Sequence, residues 1–228
     1  MRTFLRRGAI ATAAIAAAAA IWLHPGIGDR GITAAHAAPA SGDLATLLTQ
    51  VQVVDDIAPV PGYQRGCKKN QACSFGPAWN DPLDFSGCDT RNRLLANSLQ
   101  GVAFKPGTND CKVVAGTLNP DPYTGETIDL HKVQIDHLYP LKAAWDAGAS
   151  KWDPRQRQIF ANDMAELIAV SGVANEQKGD STPAEWLPAN PAEKCPYVLR
   201  YLAVAVKYQL PITGNDRQAA TAACQAGG

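Results

Sequence analysis

The stretch IDHLYP at residues 135–140 decides how this chain is interpreted. Asp136 stands directly before His137 at the end of a predicted strand, and Pro140 follows where a helix can begin. A carboxylate offers a hard oxygen to a metal ion, and an imidazole with a pKa of about 6.5 can take a proton from water. Neighbouring strand residues point to opposite faces, so we expect the strand to end or bend here. The alternative is an ordinary polar strand end, in which His137 only makes a hydrogen bond.

On both sides of this stretch the sequence predicts short helices and strands, and therefore an α+β fold. The turn-forming residues 119–125 predict a hairpin between the two strands that flank them. The predicted helices cover residues 90–100, 141–148, 153–161 and 197–208, and the predicted strands cover residues 112–117, 127–135 and 166–170.

Two asparagines and a lysine follow the Asp-His pair in a fixed order. Asn162 precedes a short apolar run, and Asn175 and Lys178 follow it in the segment ANEQKGD at residues 174–180. Each asparagine alone would be read as a surface or capping residue. Histidine is scarce, because only His131 and His137 lie after the N-terminal segment. The chain has no G-x-S-x-G, P-loop or G-x-G-x-x-G motif, which argues against the common hydrolase and nucleotide-binding classes.

The ordered set of Asp-His, Asn and Asn-x-x-Lys resembles the HNH endonucleases. The likeness covers about residues 60–210 and is most specific in GCDTRN at 87–92 and in DHxxPL at 136–141. In these segments the chain is similar to exported actinobacterial HNH nucleases, and to the C-terminal nuclease module of restriction enzymes that cut modified DNA. The resemblance implies a ββα-metal core, a β-hairpin plus a helix, here elaborated with additional helices and disulfide-stapled loops.

The resemblance also implies roles for four side chains. His137 would activate water as the general base, and Asn162 would steady the loop that holds it. Asp136 and Asn175 would bind one divalent cation. Asn175 stands where the family name has its closing histidine, and this departure weakens a zinc assignment. A carboxylate and an amide oxygen suit Mg²⁺ best, with Mn²⁺ or Ca²⁺ as alternatives.

Three basic residues are candidates for contact with the substrate. Arg157 and Lys178 match the pattern of the resembled family, and Arg91 could contact phosphate or pair with Asp89. The alternative for each is a solvated helix face. His131 is expected to be a surface strand residue.

The N-terminal residues 1–37 predict a signal peptide, with arginines before an alanine-rich apolar run and a small-x-small site at residues 35–37. A membrane anchor is the alternative, but a spanning helix needs about 20 apolar residues and this run is shorter. Residues 38–52 predict a flexible lead-in, and residues 53–228 a single nuclease domain. Export would make the protein secreted, without stable membrane association after cleavage, and we expect a monomer.

The cysteines and the charge agree with an exported enzyme. Six cysteines after the signal predict three disulfides, and nearness in the chain alone suggests the pairs Cys67–Cys73, Cys88–Cys111 and Cys195–Cys224. Removing four basic and one acidic residue from 21 of each leaves a net charge of −3. This balance argues mildly against a tight nucleic-acid binder but allows a local basic groove.

These features together predict a secreted, metal-dependent endonuclease that cuts DNA, with RNA as an open alternative, and has little sequence preference. Two other functions remain open. One is a catalytically idle, disulfide-stapled binding module, and the other is a secreted antibacterial nuclease toxin.

Overall fold

The computed structural model describes residues 43–225. The predicted signal peptide at residues 1–37 and the first part of the predicted lead-in lie outside the described residues. Within residues 43–225, no helix is both long enough and apolar enough to cross a membrane.

Within residues 43–225 the chain forms seven α-helices and seven short strands, which confirms the predicted α+β class. The helices are α1 (Leu44–Gln50), α2 (Thr90–Ser98), α3 (Leu141–Asp146), α4 (Pro154–Asn162), α5 (Gly172–Lys178), α6 (Lys194–Tyr208) and α7 (Gly214–Gln225). The strands are β1 (Val53–Val54), β2 (Gln100–Phe104), β3 (Val113–Leu118), β4 (Ile128–Asp129), β5 (Val133–His137), β6 (Leu167–Ser171) and β7 (Ile212–Thr213).

The strands form three small sheets. β1 pairs with β7 in parallel, and β2, β3 and β4 form an antiparallel sheet in that order. The third sheet is the antiparallel pair β5–β6, in which Asp136 lies opposite Ile168 and His137 lies opposite Leu167. β5 ends at His137, so the Asp-His pair is the end of a strand, as the sequence predicts.

Helix α5 follows β6 without a loop and lies against β5. A glycine at the start of the helix allows this close approach. A Cβ on Gly172 would lie 3.1 Å from both the Gln134 side chain and the Lys132 carbonyl oxygen. The helix therefore begins directly over β5, and its later residues reach the side chains of the same strand.

The β5–β6 pair lies between two apolar clusters. Alternate residues of β6 enter each cluster, since Ile168 and Val170 pack with the residues around α6, whereas Leu167 and Ala169 pack with α2 and β3. This period of two is what a strand buried on both faces requires. Residues at the end of β5 are consequently buried, whichever face they point to.

The prediction that residues 38–52 form a flexible lead-in is wrong for residues 44–50. Residues 44–50 form α1, whose first turn is capped because the Asp43 carboxylate accepts the Thr46 N–H at 2.7 Å. Leu47 and Val51 are buried in the same cluster as α6. The folded part of the chain thus begins before the predicted boundary at residue 53.

Two further segments differ from the predictions. The predicted strand 127–135 is interrupted, because residues 130–132 form a single 3₁₀ turn between β4 and β5. The hairpin around residues 119–125 remains as the short β3–β4 pair. Strand β2 and helix α7 were not predicted.

Other predictions are confirmed. Asp153 caps α4 by accepting the Gln156 N–H at 2.9 Å, and Pro154 is the first helical residue. The three disulfides join the predicted pairs, Cys67–Cys73, Cys88–Cys111 and Cys195–Cys224.

Candidate active site

Asp136 is the centre of a buried polar network beneath helix α5. Its Oδ2 accepts the Tyr123 hydroxyl at 2.5 Å and lies 3.0 Å from the Lys178 ammonium. The Lys178 Nζ also donates to the backbone carbonyl of His137 at 3.0 Å, and its side chain is fully buried. Burial, and next the Asp136 charge, raise the pKa of Tyr123 well above its usual value, so this hydroxyl remains a donor. The ammonium and the phenol together hold the carboxylate in one position.

Glu166 fixes the chain that follows His137. Its carboxyl group accepts the backbone N–H of Tyr139 at 3.1 Å, and its own carbonyl accepts the N–H of Leu138 at 2.9 Å. Burial raises the pKa of Glu166 well above its ordinary value. A buried acid that holds the backbone of residues 138 and 139 limits how far His137 can move.

The His137 ring points away from Asp136 and contacts different groups. Its Nε2 lies 3.1 Å from the Ala161 carbonyl oxygen, and its ring lies parallel to the Trp79 ring with centroids 6.3 Å apart. A carbonyl oxygen only accepts hydrogen bonds, so Nε2 carries the proton and Nδ1 retains its lone pair. The free Nδ1 is the atom that can accept a proton.

Burial lowers the pKa of His137 from 6.5 to about 3, and the positive charge of Arg65 contributes in the same direction. Only 6% of the residue is exposed. The imidazole is therefore neutral at physiological pH and can accept a proton, but a pKa this far below 7 makes it a weak base.

A small cavity of about 40 Å³ lies beside the His137 ring. We call it the His137 cavity. The residues that line it include Arg65, Phe75, Trp79, His137, Leu141 and Asn162. Its volume exceeds what a single water molecule needs. Apart from His137 itself, Arg65 is the only basic side chain among residues 43–225 that lines it.

Asn162 joins three segments behind the His137 cavity. Its Oδ1 accepts the Thr90 hydroxyl at 2.8 Å, and its Nδ2 donates to the carbonyls of Gln158 at 2.9 Å and Asn80 at 3.3 Å. The neighbouring residue, Ala161, supplies the carbonyl that orients His137. Asn162 is thus placed to hold the end of α4 in position rather than to contact the ring through a hydrogen bond.

Asn175 lies one helical turn before Lys178 on α5 and over the same strand. Its Nδ2 donates to the Gln134 side-chain carbonyl at 2.8 Å, while Lys178 reaches Asp136. Gln134 and Asp136 alternate with Ile135 and share one face of β5. The two predicted metal ligands, Asp136 and Asn175, are therefore brought to the same side of the strand.

The donor set can be compared with what a divalent cation needs. No group of three or more histidine, cysteine, aspartate or glutamate residues able to hold a metal occurs within residues 43–225. The Asp136 carboxylate and the Asn175 amide are oxygen donors of the kind that Mg²⁺ and Mn²⁺ take. The Asp136 carboxylate is already paired with the buried Lys178 ammonium, which also donates to the His137 carbonyl. The two predicted ligands therefore match a hard cation in donor type, and an ion bound there would share Asp136 with Lys178.

The structure corrects two of the three predicted substrate contacts. Lys178 is buried against Asp136, so its ammonium faces no solvent from which a substrate could approach. The Arg157 guanidinium donates to the carbonyls of Ser74 and Trp152 and lies over the Trp145 ring. These two cations hold the protein together because carbonyl and carboxylate oxygens occupy their donors.

The third predicted contact, Arg91, is half-buried on α2. It donates to the Val133 carbonyl at 3.2 Å and so ties α2 to the first residue of β5. Arg65 was not among the predicted site residues, because it lies in a region for which the sequence predicts neither a helix nor a strand. Tyr123 and Glu166 were also not predicted as parts of the site, since their roles depend on burial beside Asp136 and Tyr139.

The depressed pKa of His137 predicts a pH-dependent stability. Below pH 6.5 the unfolded chain protonates this imidazole, whereas the folded chain resists protonation until about pH 3. The free energy of unfolding should therefore fall as the pH drops from 7 to 5, by about 2 kcal/mol more in the wild type than in His137→Gln. Glu166 contributes with the opposite sign, but equally in both proteins. Urea unfolding at several pH values measures the difference.

The matched control is His131→Gln, which changes an exposed histidine. It should keep the wild-type dependence on pH. Equal pH slopes for wild type and His137→Gln would contradict the buried, neutral state of His137.

Comparison with known proteins shows the family to which this chain belongs. A family model described as "GmrSD restriction endonucleases, C-terminal domain" matches residues 89–220, which include Asp136, His137, Asn162 and Asn175. A relative from Arthroderma benhamiae, described as an uncharacterized secreted protein, is 35% identical over 149 residues, covering 64% of this chain and 70% of the relative. No solved structure matches the chain. The match confirms the HNH resemblance drawn from the Asp-His and Asn-x-x-Lys segments: the chain belongs to the family of GmrSD restriction endonuclease C-terminal domains.

Proposed function

We propose that the protein is a secreted, metal-dependent endonuclease that hydrolyses phosphodiester bonds of DNA with little sequence preference. The observation that carries this proposal is the arrangement of His137. A neutral imidazole with a free Nδ1 lies beside a cavity large enough for water, and the Asp136 carboxylate, paired with Lys178, precedes it in the chain.

In the proposed reaction, His137 Nδ1 takes a proton from a water molecule that attacks the phosphorus. The Ala161 carbonyl accepts a hydrogen bond from the Nε2–H throughout, so it holds the ring in place and stabilises the imidazolium that forms. Asn162 would keep this carbonyl in position through its bonds to Thr90 and Gln158. Positioning a base and its water in one geometry is a large part of the rate gain in such reactions.

Asp136 and Asn175 would hold the divalent cation, for which Mg²⁺ is the first choice and Mn²⁺ or Ca²⁺ the alternatives. When bound, such an ion relieves the negative charge on the phosphate and stabilises the leaving oxygen. Lys178 keeps the Asp136 carboxylate oriented and compensates its charge in the interior.

Three observations support secretion. The N-terminal residues have the pattern of a signal peptide, all six cysteines are paired in disulfides, and the fungal relative is described as secreted.

The experiment is a cleavage assay with supercoiled plasmid DNA and, in parallel, single-stranded RNA. Relaxed circles should appear before short fragments, because an endonuclease needs no free end. We expect cleavage of DNA in Mg²⁺ or Mn²⁺, and cleavage at many positions of a mapped fragment. If neither the DNA nor the RNA is cleaved with any divalent metal, the proposed function is contradicted and a catalytically idle binding module is favoured.

A further inference from the structure

Arg65 lies two residues before Cys67, which forms a disulfide with Cys73, and it lines the His137 cavity. The other walls of this cavity are largely apolar, with Phe75, Trp79 and Leu141 among them. Within residues 43–225 no carboxylate lies within ion-pair distance of the Arg65 guanidinium. A cation without an acidic partner thus faces the base of the proposed reaction.

The loop that carries Arg65 is held rigidly. Gln64 and Ser74 exchange two hydrogen bonds, since the Ser74 N–H donates to the Gln64 carbonyl at 2.9 Å and the Gln64 N–H donates to the Ser74 hydroxyl at 3.0 Å. Arg157 in turn donates to the Ser74 carbonyl from α4. The side chain predicted to bind substrate therefore supports the loop on which Arg65 is presented.

The Arg65 guanidinium is exposed and lines the same small cavity as the His137 ring, with no carboxylate within ion-pair distance among residues 43–225. A phosphate that enters beside this cavity would therefore meet a positive charge that no acidic side chain neutralises. The planar guanidinium also matches two phosphate oxygens at once, and such charge-assisted bonds are stronger than neutral ones.

Resting on the nuclease function proposed above, we propose that Arg65 binds the scissile phosphate of the nucleic acid beside the His137 cavity. In this role Arg65 replaces Lys178 and Arg157, the two predicted substrate contacts whose donors are bonded to protein oxygens. The phosphate is the group recognised, so this contact reads no base sequence.

The test compares Arg65→Ala with Lys69→Ala, a change at an exposed residue between Cys67 and Cys73 that does not line the His137 cavity. Binding is measured by fluorescence anisotropy with a labelled DNA duplex, in the His137→Ala background so that no cleavage occurs. Arg65→Ala should raise Kd about 10- to 100-fold, the size expected for a bond to a charged group. It should also lower the salt dependence of binding by about one counterion. Lys69→Ala should leave both quantities near their starting values.

Cleavage rates give a second readout in otherwise wild-type protein. Arg65→Ala should lower kcat/KM by a similar factor. Arg65→Lys should lower it less, because lysine keeps the positive charge but lacks the planar guanidinium that bonds two phosphate oxygens. Equal Kd values for Arg65→Ala and Lys69→Ala, or no binding of the duplex at all, would overturn the inference. Cleavage by the wild type with an unchanged Arg65→Ala rate would overturn it while leaving the proposed function intact.

Discussion

His137→Ala is expected to lower the rate of phosphodiester hydrolysis by about 10²- to 10⁴-fold, the usual contribution of a general base. The His137 ring lines a cavity large enough for water, and within residues 43–225 no second imidazole lines it. The other histidine within residues 43–225, His131, is exposed on the 3₁₀ turn before β5. Initial rates of plasmid nicking at saturating metal measure the effect.

Two controls make this result interpretable. His131→Ala should cut at nearly the wild-type rate, and His137→Ala should keep its disulfides, its circular dichroism spectrum and its metal binding. A His137→Ala protein that is folded and retains more than about a tenth of the wild-type rate would show that another group activates the water.

Lys178→Met is expected to be the most destabilising single change in the site, costing about 3–5 kcal/mol in the free energy of unfolding. The Lys178 ammonium is fully buried between Asp136 and the His137 carbonyl, and its removal leaves a buried carboxylate without its counter-charge. Chemical unfolding of the oxidised, metal-free protein measures the loss. Lys207→Met is the matched control, because its ion pair with Asp163 is half-exposed and should contribute about 1 kcal/mol or less.

The double variant Asp136→Asn/Lys178→Met separates the ion pair from simple packing. If the cost arises from an unpaired charge, removing that charge as well should restore part of the stability, so the two changes should not add. Additive losses, or a Lys178→Met protein as stable as Lys207→Met, would contradict the buried pair.

The sequence was sufficient for the parts of the site that lie close together in the chain. Asp136 and His137 end a strand with clear apolar alternation, so β5 and β6 could be predicted, whereas helix α5 was implied only by the resemblance to a ββα-metal core. The disulfides also join near neighbours in sequence. Local patterns carry this information because each element has its own period.

The remaining parts depend on tertiary contacts that no local pattern shows. Lys178 looks like a solvent-facing cation, yet one helical turn after Asn175 it points down onto Asp136. Arg65 has no periodic context, and only the packing of its segment against α4, through Ser74 and Arg157, brings it to His137. Helix α1 is different, since the spacing of Leu44, Leu47 and Leu48 is a helical stripe that could have been recognised.

The most direct measurement is the rate at which the oxidised protein, freed of metal with EDTA, nicks supercoiled plasmid before and after Mg²⁺ or Mn²⁺ is added in excess. In the proposed function, Asp136 and Asn175 would supply the oxygen donors on one side of β5, and His137 would supply the base at its end. We expect no relaxed circles in EDTA and rapid nicking once metal is restored. Undiminished nicking in excess EDTA, or no nicking with any divalent metal, would contradict a metal-dependent nuclease.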